Sequence, residues 1–368
     1  MNIGRGDVDR GQVMAYRLAV QGLAVRGSDR PGDLPVLDLG VQEYTPDSTR
    51  VALAARTQAT LDDDRLLTVW AARGAPHLHR RRDLEALVQA LWPVSDTDAA
   101  VRIRSAQIPD AGKLGIRAFA VTAQAFREVV RCSMPRGEVS TQVSARVPSE
   151  LTYDCRSCRA RHIAGNVWQH SGLAGGVEVE SRGRDATLGP IRNAPPQPAE
   201  NAGIDTLIRS YLRLLGPATP VELGKYLGSS TAEMKKVWPA DLAEVRIEGR
   251  KAWLPAASLK ELSAAEPVPG VRLVPPMDPL LQARDRDVLV PDRGRQKELW
   301  RLLGNPGALV LDGEIAGVWR AKMAGRKRVD LTVTPFGTLT AKARKAVEQE
   351  AEVVARARGA AEATVTFG

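Results

Sequence analysis

The stretch DTLIRSYLRLLGPATPVELGKYLGSSTAEMKKVWPADLAEVRIEGRKAWLP, residues 205–255, constrains the fold more than any other part of this chain. Leu207, Ile208, Tyr211, Leu212, Leu214 and Leu215 recur at helical spacing and predict one amphipathic helix. Thr219 followed by Pro220 predicts the N-cap and first position of a second, short helix. After the turn at Gly228, Ser230 with Glu233 three residues on has capping-box spacing and predicts a third helix. AEVRIEGRKAWLP then alternates apolar and polar residues around Glu248-Gly249, a hairpin signal. Helix, short helix, turn, helix and hairpin is the winged-helix layout.

The remaining sequence is less sharply patterned. Residues 12–25 read as a helix, LDLGV as a strand ending at residue 41, and the chain from Thr49 as helical again. DDDRLLTVWAARG reads as a helix with an acidic start and a glycine stop. APHLHRRRDLEALVQALWP reads as a short extended piece followed by a helix from about Arg82 to Leu91. TAQAFREVVRC and the region around RHIAGNVWQHSGLAGG are helical, with ARVPSELTYDC extended between them, and RNAPPQPAENAG is a linker. GALVLDGEIAGVWRAKMAGRKRVDLTVTPFG predicts three antiparallel strands. AKARKAVEQEAEVVARARGA predicts a long helix, and TVTFG either frays or adds an edge strand. The expected fold is mainly α with β wings (α+β), in units at 1–95, 96–191, 204–266 and 267–368.

Composition narrows the class of function. No run approaches the roughly 18 apolar residues of a membrane span, and MNIGRGDVDRGQ lacks the apolar segment of a secretory signal. Three cysteines argue against a disulfide framework, so a cytoplasmic location is expected. The formal net charge is +9, from 52 basic and 43 acidic residues, which favours polyanions such as nucleic acid. The plain alternative is charge that serves only solubility.

Three basic features are candidate phosphate contacts. WRAKMAGRKR concentrates Arg320, Lys322, Arg326, Lys327 and Arg328 within nine residues between two expected strands, where a wing can straddle a phosphate backbone. HLHRRRD places Arg80, Arg81 and Arg82 before a helix whose first turn holds Asp83 and Glu85. Lys235 and Lys236 lie in the third helix of the helix-turn-helix pattern, the element that enters a groove. His77 and His79 are two apart, so an extended segment turns both to one side, toward a substrate or into the structure.

YDCRSCRARHIAGNVWQH offers a metal-ligand pattern. Cys155 and Cys158 form C-x₂-C, with His162 four residues on and His170 beyond; Cys132 is another conceivable fourth ligand. Thiolates and imidazoles suit a structural zinc, although a second C-x₂-C pair would be the stronger signal. The bland alternative is cysteines that merely pack near a turn.

LGVQEYTPDSTRVALAART puts Gln42, Glu43 and Tyr44 at a strand-to-helix junction. This block, with LLTVWAARGAPHL and RRDLEAL, YLRLLGPATPVELGKYLG, VRLVPPMDPLLQARDRDVLVP, and LDGEIAGVWR with VTPFG, resembles in order the bacterial winged-helix DNA glycosylase family of the AlkZ and YcaQ type. The resemblance implies three tandem winged-helix units, with C-terminal β structure completing a cleft for double-stranded DNA. It also implies excision of bulky N-alkylated purines or release of crosslinks, with no cofactor required. The catalytic motif it implies is glutamine, an apolar residue, then glutamine or aspartate. Here Gln42, Glu43 and Tyr44 occupy those places, and the last two depart from the pattern.

The chemistry explains why that departure matters. An N7-alkylpurine is cationic and leaves without prior protonation, so the protein must position water and stabilise positive charge on the sugar. Gln42 can hold the water and Glu43 can accept its proton, while neutral Tyr44 can only hydrogen-bond or stack. In an extended segment Glu43 points away from Gln42 and Tyr44, so its use as base requires a local twist. Asp47 or Ser48 is expected to cap the following helix. The alternatives are a non-catalytic DNA-binding or regulatory protein, and a zinc-supported interaction protein.

Overall fold

The structure, a computed structural model, describes residues 7–180, 186–325 and 327–368. The chain forms two compact units. The first comprises Met1–Asp63, Arg209–Glu222 and Ala240–Gly368; the second comprises Asp64–Ile208 and Leu223–Pro239.

A five-stranded sheet organises the first unit, in the order Val271–Val274, Gly307–Leu311, Glu314–Ala324, Arg328–Pro335, Glu362–Phe367. The first four strands pair antiparallel, and Glu362–Phe367 runs parallel to Arg328–Pro335. The three strands expected from sequence therefore gain a neighbour at each edge, and TVTFG is one of the two. Parallel pairing needs a long crossover, which the helix Ala341–Ala357 supplies. Thr340 caps that helix by accepting the Ala343 N–H. Val347, Ala351, Val354 and Ala355 fall on one helical face and pack with Leu309, Trp319, Leu331 and Val333.

A second, small sheet carries the predicted hairpin. Ala243–Ile247 pairs antiparallel with Arg250–Leu254, and Asp7–Val8 adds a parallel edge. Glu248 and Gly249 have φ of 48° and 81°, the left-handed pair that a two-residue turn between twisted strands requires. Thr219 and Glu222 cap the helix Pro220–Leu227 reciprocally: the Glu222 carboxylate accepts the Thr219 N–H, and Thr219 Oγ1 accepts the Val221 N–H.

Two buried ion pairs hold the PMDPLLQARD segment to the first unit. Arg56 meets Asp278 through two 2.8 Å hydrogen bonds with both side chains fully buried. Arg17 meets Asp285 at 2.6 and 3.0 Å. Removal of one partner of such a pair leaves an uncompensated charge inside, at a cost of about 3–5 kcal/mol.

The second unit is mostly helical, with Leu84–Leu91, Asp96–Ile103, Ile116–Val129, Arg136–Ser144 and Gly165–Ser171 around a core that includes Trp70, Phe119, Phe126, Leu151 and Trp168. DDDRLLTVWAARG departs from its expected helix: Leu66–Trp70 is a strand, antiparallel to Pro76–Arg80. Thr68 and Val69 are β-branched, and the strand turns Leu67 and Val69 inward while Leu66 and Thr68 are half-buried, the two-residue period of a pleated surface. Gly172 must lack a side chain, because a Cβ there would meet the Trp70 ring at 2.2 Å. Ser230 caps the helix Thr231–Lys236 by accepting the Glu233 N–H. The Glu233 carboxylate itself accepts hydrogen bonds from Ser95 and Lys236. No helix among the described residues is long and apolar enough to cross a membrane.

Candidate functional site

In the first unit the loop from Gly40 to Ser48 positions Gln42, Glu43 and Tyr44, and each does something different. Gln42 ends the two-residue strand Val41–Gln42 and is buried. Its Oε1 accepts from Gln282 Nε2 at 2.7 Å, and the same nitrogen donates to the Met277 carbonyl. Glu43 turns toward the helix Ser48–Ala54, where its Oε2 accepts from Thr49 Oγ1 at 2.6 Å and from the Thr49 N–H at 3.3 Å. Ser48 Oγ accepts the Tyr44 and Thr45 N–H groups, which closes the turn. The Tyr44 hydroxyl accepts the Asn305 N–H.

Helix capping here is done by Glu43, six residues ahead of Thr49. Asp47 sits at the N-cap position with φ 64° and makes no side-chain capping bond. Its carboxylate lies 3.9 Å from the Arg358 guanidinium.

Beside this loop, and wholly within the first unit, is a cavity of about 280 Å³. Thr45, Pro46 and Ser48 line one side; Pro275, Asn305, Trp319, Arg320 and Arg358 line the rest. Trp319 is fixed by its indole N–H, which donates to the Val274 carbonyl at 2.8 Å. Asn305 Oδ1 is buried without a hydrogen-bond partner among the described residues. The cavity thus combines an aromatic wall, two guanidinium groups and an unpartnered acceptor. Gln282, Asn305 and Arg358 were not candidates from sequence, since no local spacing links Gln42, Tyr44 and Asp47 to these partners more than 200 positions away.

Arg320 belongs to the hairpin formed by Glu314–Ala324 and Arg328–Pro335. The register opposes Arg320 to Thr332, Lys322 to Asp330 and Ala324 to Arg328, so Arg320, Lys322 and Arg328 share one face. Trp319 and Val329, Leu331 and Val333 fill the other face. Arg320, Lys322, Lys327 and Arg328 are exposed; Arg326 lies outside the described residues. Arg328 is paired with Asp330 at 2.8 Å, and that carboxylate raises the guanidinium pKa further. Arg320 donates to the Gly304 carbonyl, next to Leu302 and Leu303, which are 99% and 85% exposed.

In the second unit the other candidates divide between interior and surface. His77 and His79 lie on the strand Pro76–Arg80 and are buried, at 1% and 2% exposure. The His77 Nδ1 is 2.8 Å from the Ala75 carbonyl; burial and the neighbouring His79 push its pKa down to about 3. Arg80 is buried against Asp83, and Arg81 reaches the Asp64 carbonyl and Glu178. Arg82 is exposed, 3.6 Å from Asp83. Lys235 and Lys236 are exposed on their helix, and Lys236 pairs with Glu233.

The metal-ligand pattern is narrower than expected. Cys155, Cys158 and His162 gather with ligand atoms within 4.8 Å of one another, a set able to hold a metal ion. His170 is not part of it. Its ring packs 6.0 Å from Phe119, and burial, then Arg102 and Arg73, pushes its pKa down to about 3. The helix Gly165–Ser171 sets its half-buried ring against Phe119, whereas His162 lies on the hairpin of Thr152–Cys155 and Ala160–Ile163. Cys132 is exposed and outside the cluster.

The described helices, wings and five-stranded sheet define an α+β winged-helix protein with a basic hairpin beside a cavity of mixed apolar and polar lining. The chain matches the DNA glycosylase AlkZ-like family over residues 36–357, and it belongs to that family. The interstrand DNA cross-link repair glycosylase of Streptomyces sahachiroi is 35% identical over 174 residues. That match covers 45% of this chain and 44% of the relative, so it spans less than half the length of the curated protein. The structure of Streptomyces sahachiroi DNA glycosylase AlkZ is similar in fold, with a TM-score of 0.77 at 24% identity, over 99% of this chain and 100% of that one.

Proposed function

We propose that this chain binds double-stranded DNA and hydrolyses the N-glycosidic bond of a bulky N-alkylated or crosslinked purine. The observation that carries the reading is the cavity beside residues 44–48, which joins Trp319 to Arg320, Arg358 and the unpartnered Asn305 acceptor. A purine would enter the cavity over the edge of the indole and, after Asn305 turns toward it, donate an amine hydrogen to Asn305 Oδ1, with Arg320 and Arg358 facing phosphates. The exposed Leu302 and Leu303 would meet base or sugar surface beside them.

In the reaction the C1′–N9 electron pair goes to the cationic base, which leaves neutral. A water oxygen bonds to C1′, and the water proton passes to Glu43. Gln42 would hold the water through its carboxamide once it releases Gln282, and Tyr44, whose hydroxyl meets the Asn305 N–H, would support the substrate next to the cavity. This requires Glu43 to exchange its Thr49 hydrogen bonds for water in the complex. The Glu43–Thr49 bond also favours a second reading, a DNA-binding member in which Glu43 is solely a helix cap.

Release of base from an N7-alkylguanine duplex, measured as abasic sites, separates the two readings. The glycosylase reading expects release by the native chain, and a fall of about 10²-fold or more in Gln42→Ala with duplex binding retained. Binding without release above background would leave the non-catalytic reading. Absence of salt-sensitive duplex binding would end both.

A further inference from the structure

The hairpin Thr152–Cys155 and Ala160–Ile163 in the second unit carries a constellation that the proposed reaction does not use. Its register opposes Cys155 to Ala160 and Tyr153 to His162. Cys155 and His162 are therefore diagonal neighbours on one face of the two-stranded ribbon. The turn between the strands returns Cys158 toward the same place, and Arg159, directly after it, has φ 52°. A non-glycine residue in the left-handed region marks a tight reversal at that point.

We propose that Cys155, Cys158 and His162 form a zinc site, with water or another exchangeable ligand in the fourth position. Neither thiol has a core to fill: Cys158 is exposed and Cys155 only partly covered. Buried free cysteines are the usual structural kind, so this placement needs another reason. The donor atoms lie within 4.8 Å of one another, while tetrahedral zinc bonds imply separations of about 3.5–3.8 Å. Side-chain rotation can cover that difference.

The imidazole is already oriented for the task. His162 Nδ1 is 3.0 Å from the Ile163 carbonyl, a contact that puts the hydrogen on Nδ1 and leaves Nε2 as the ligand atom in the neutral ring a metal would bind. The Tyr153 ring packs edge-on against it at 4.8 Å. Charge is compatible as well. Two thiolates, a neutral imidazole and Zn²⁺ sum to zero, so the surrounding Arg156, Arg159 and Arg161 do not repel the filled site. Three protein ligands on an exposed ribbon leave one position open, unlike a closed four-ligand structural centre.

The test uses the full chain, supplied with zinc, desalted and assayed for metal, with cobalt substitution as the spectroscopic readout. The expected result is close to one zinc per chain and a thiolate-to-cobalt charge-transfer band. A Cys155→Ser, Cys158→Ser variant should lose both, and His162→Ala should bind cobalt more weakly with the band retained. Zinc far below stoichiometric with no cobalt band would overturn the proposal, as would a serine variant that keeps its zinc. So would a non-reduced intact mass short by two hydrogens after handling under reducing-agent-free argon, since a disulfide would then claim both sulfurs. If the serine variant fails to fold, the cobalt spectrum of the native chain still decides.

Discussion

The hairpin around residues 320–328 and the strand end around residues 77–82 are about equally rich in positive charge, yet the fold uses them oppositely. On the hairpin the two-residue period sends Trp319, Val329 and Leu331 into the core and leaves Arg320, Lys322 and Arg328 together outside. On the strand Pro76–Arg80 the same period turns His77 and His79 inward, and Arg80 follows them against Asp83. Arg81 is taken up by Glu178 and the Asp64 carbonyl, which leaves Arg82 as the member of the triplet most open to solvent. A basic cluster in sequence becomes an available cationic face only where its own apolar alternates anchor it and few acids lie opposite.

The largest expected effect comes from charging two shielded histidines, His77 on the strand Pro76–Arg80 and His170 on the helix Gly165–Ser171. His77 and His170 have folded-state pKa values near 3, below their ordinary value of 6.5. The unfolded chain therefore binds more protons between those limits, so stability is full above pH 6.5 and falls as pH drops toward 3. Urea unfolding of the native chain across that window should show a loss on the order of a few kcal/mol. His77→Gln should flatten part of the slope. A slope unchanged by substitution of either histidine would contradict their being neutral in the fold.

An intermediate effect is expected on the hairpin. Arg320→Ala with Lys322→Ala should weaken duplex binding and reduce the slope of log affinity against log salt by about 1 for each phosphate no longer neutralised. Thermal stability should change little, because both side chains face solvent. An unaltered salt slope would put the DNA-binding face elsewhere. The smallest effect belongs to Arg82→Ala, expected to shift stability by no more than about 0.5 kcal/mol, since its ion pair is exposed. A salt-slope change as large as the hairpin's would erase the contrast between the two regions.

Local chemistry was legible where the interacting residues are close in sequence. Ser230 and Thr219 cap the helices that their spacing predicts, and Glu248-Gly249 forms the expected turn. The segment 64–74 misled because five strand residues between an acidic run and a glycine imitate a helix with both its end signals. The Gln42–Tyr44 loop was legible as a junction, while the partners of its side chains were not. Glu43 reaches Thr49, but Gln42 and Tyr44 depend on Gln282 and Asn305.

The sequence by itself determined the winged-helix pattern at 205–255, the basic hairpin and the Cys-x₂-Cys turn, because each depends on backbone periodicity or capping within a few residues. Only the tertiary structure decided which cations stay outside, which histidine joins the cysteines, and that Arg56 finds Asp278 across 222 positions. Those outcomes follow from burial and long-range pairing. Desolvating a charge is favourable only when a partner arrives from elsewhere in the chain, and no local pattern records that arrival.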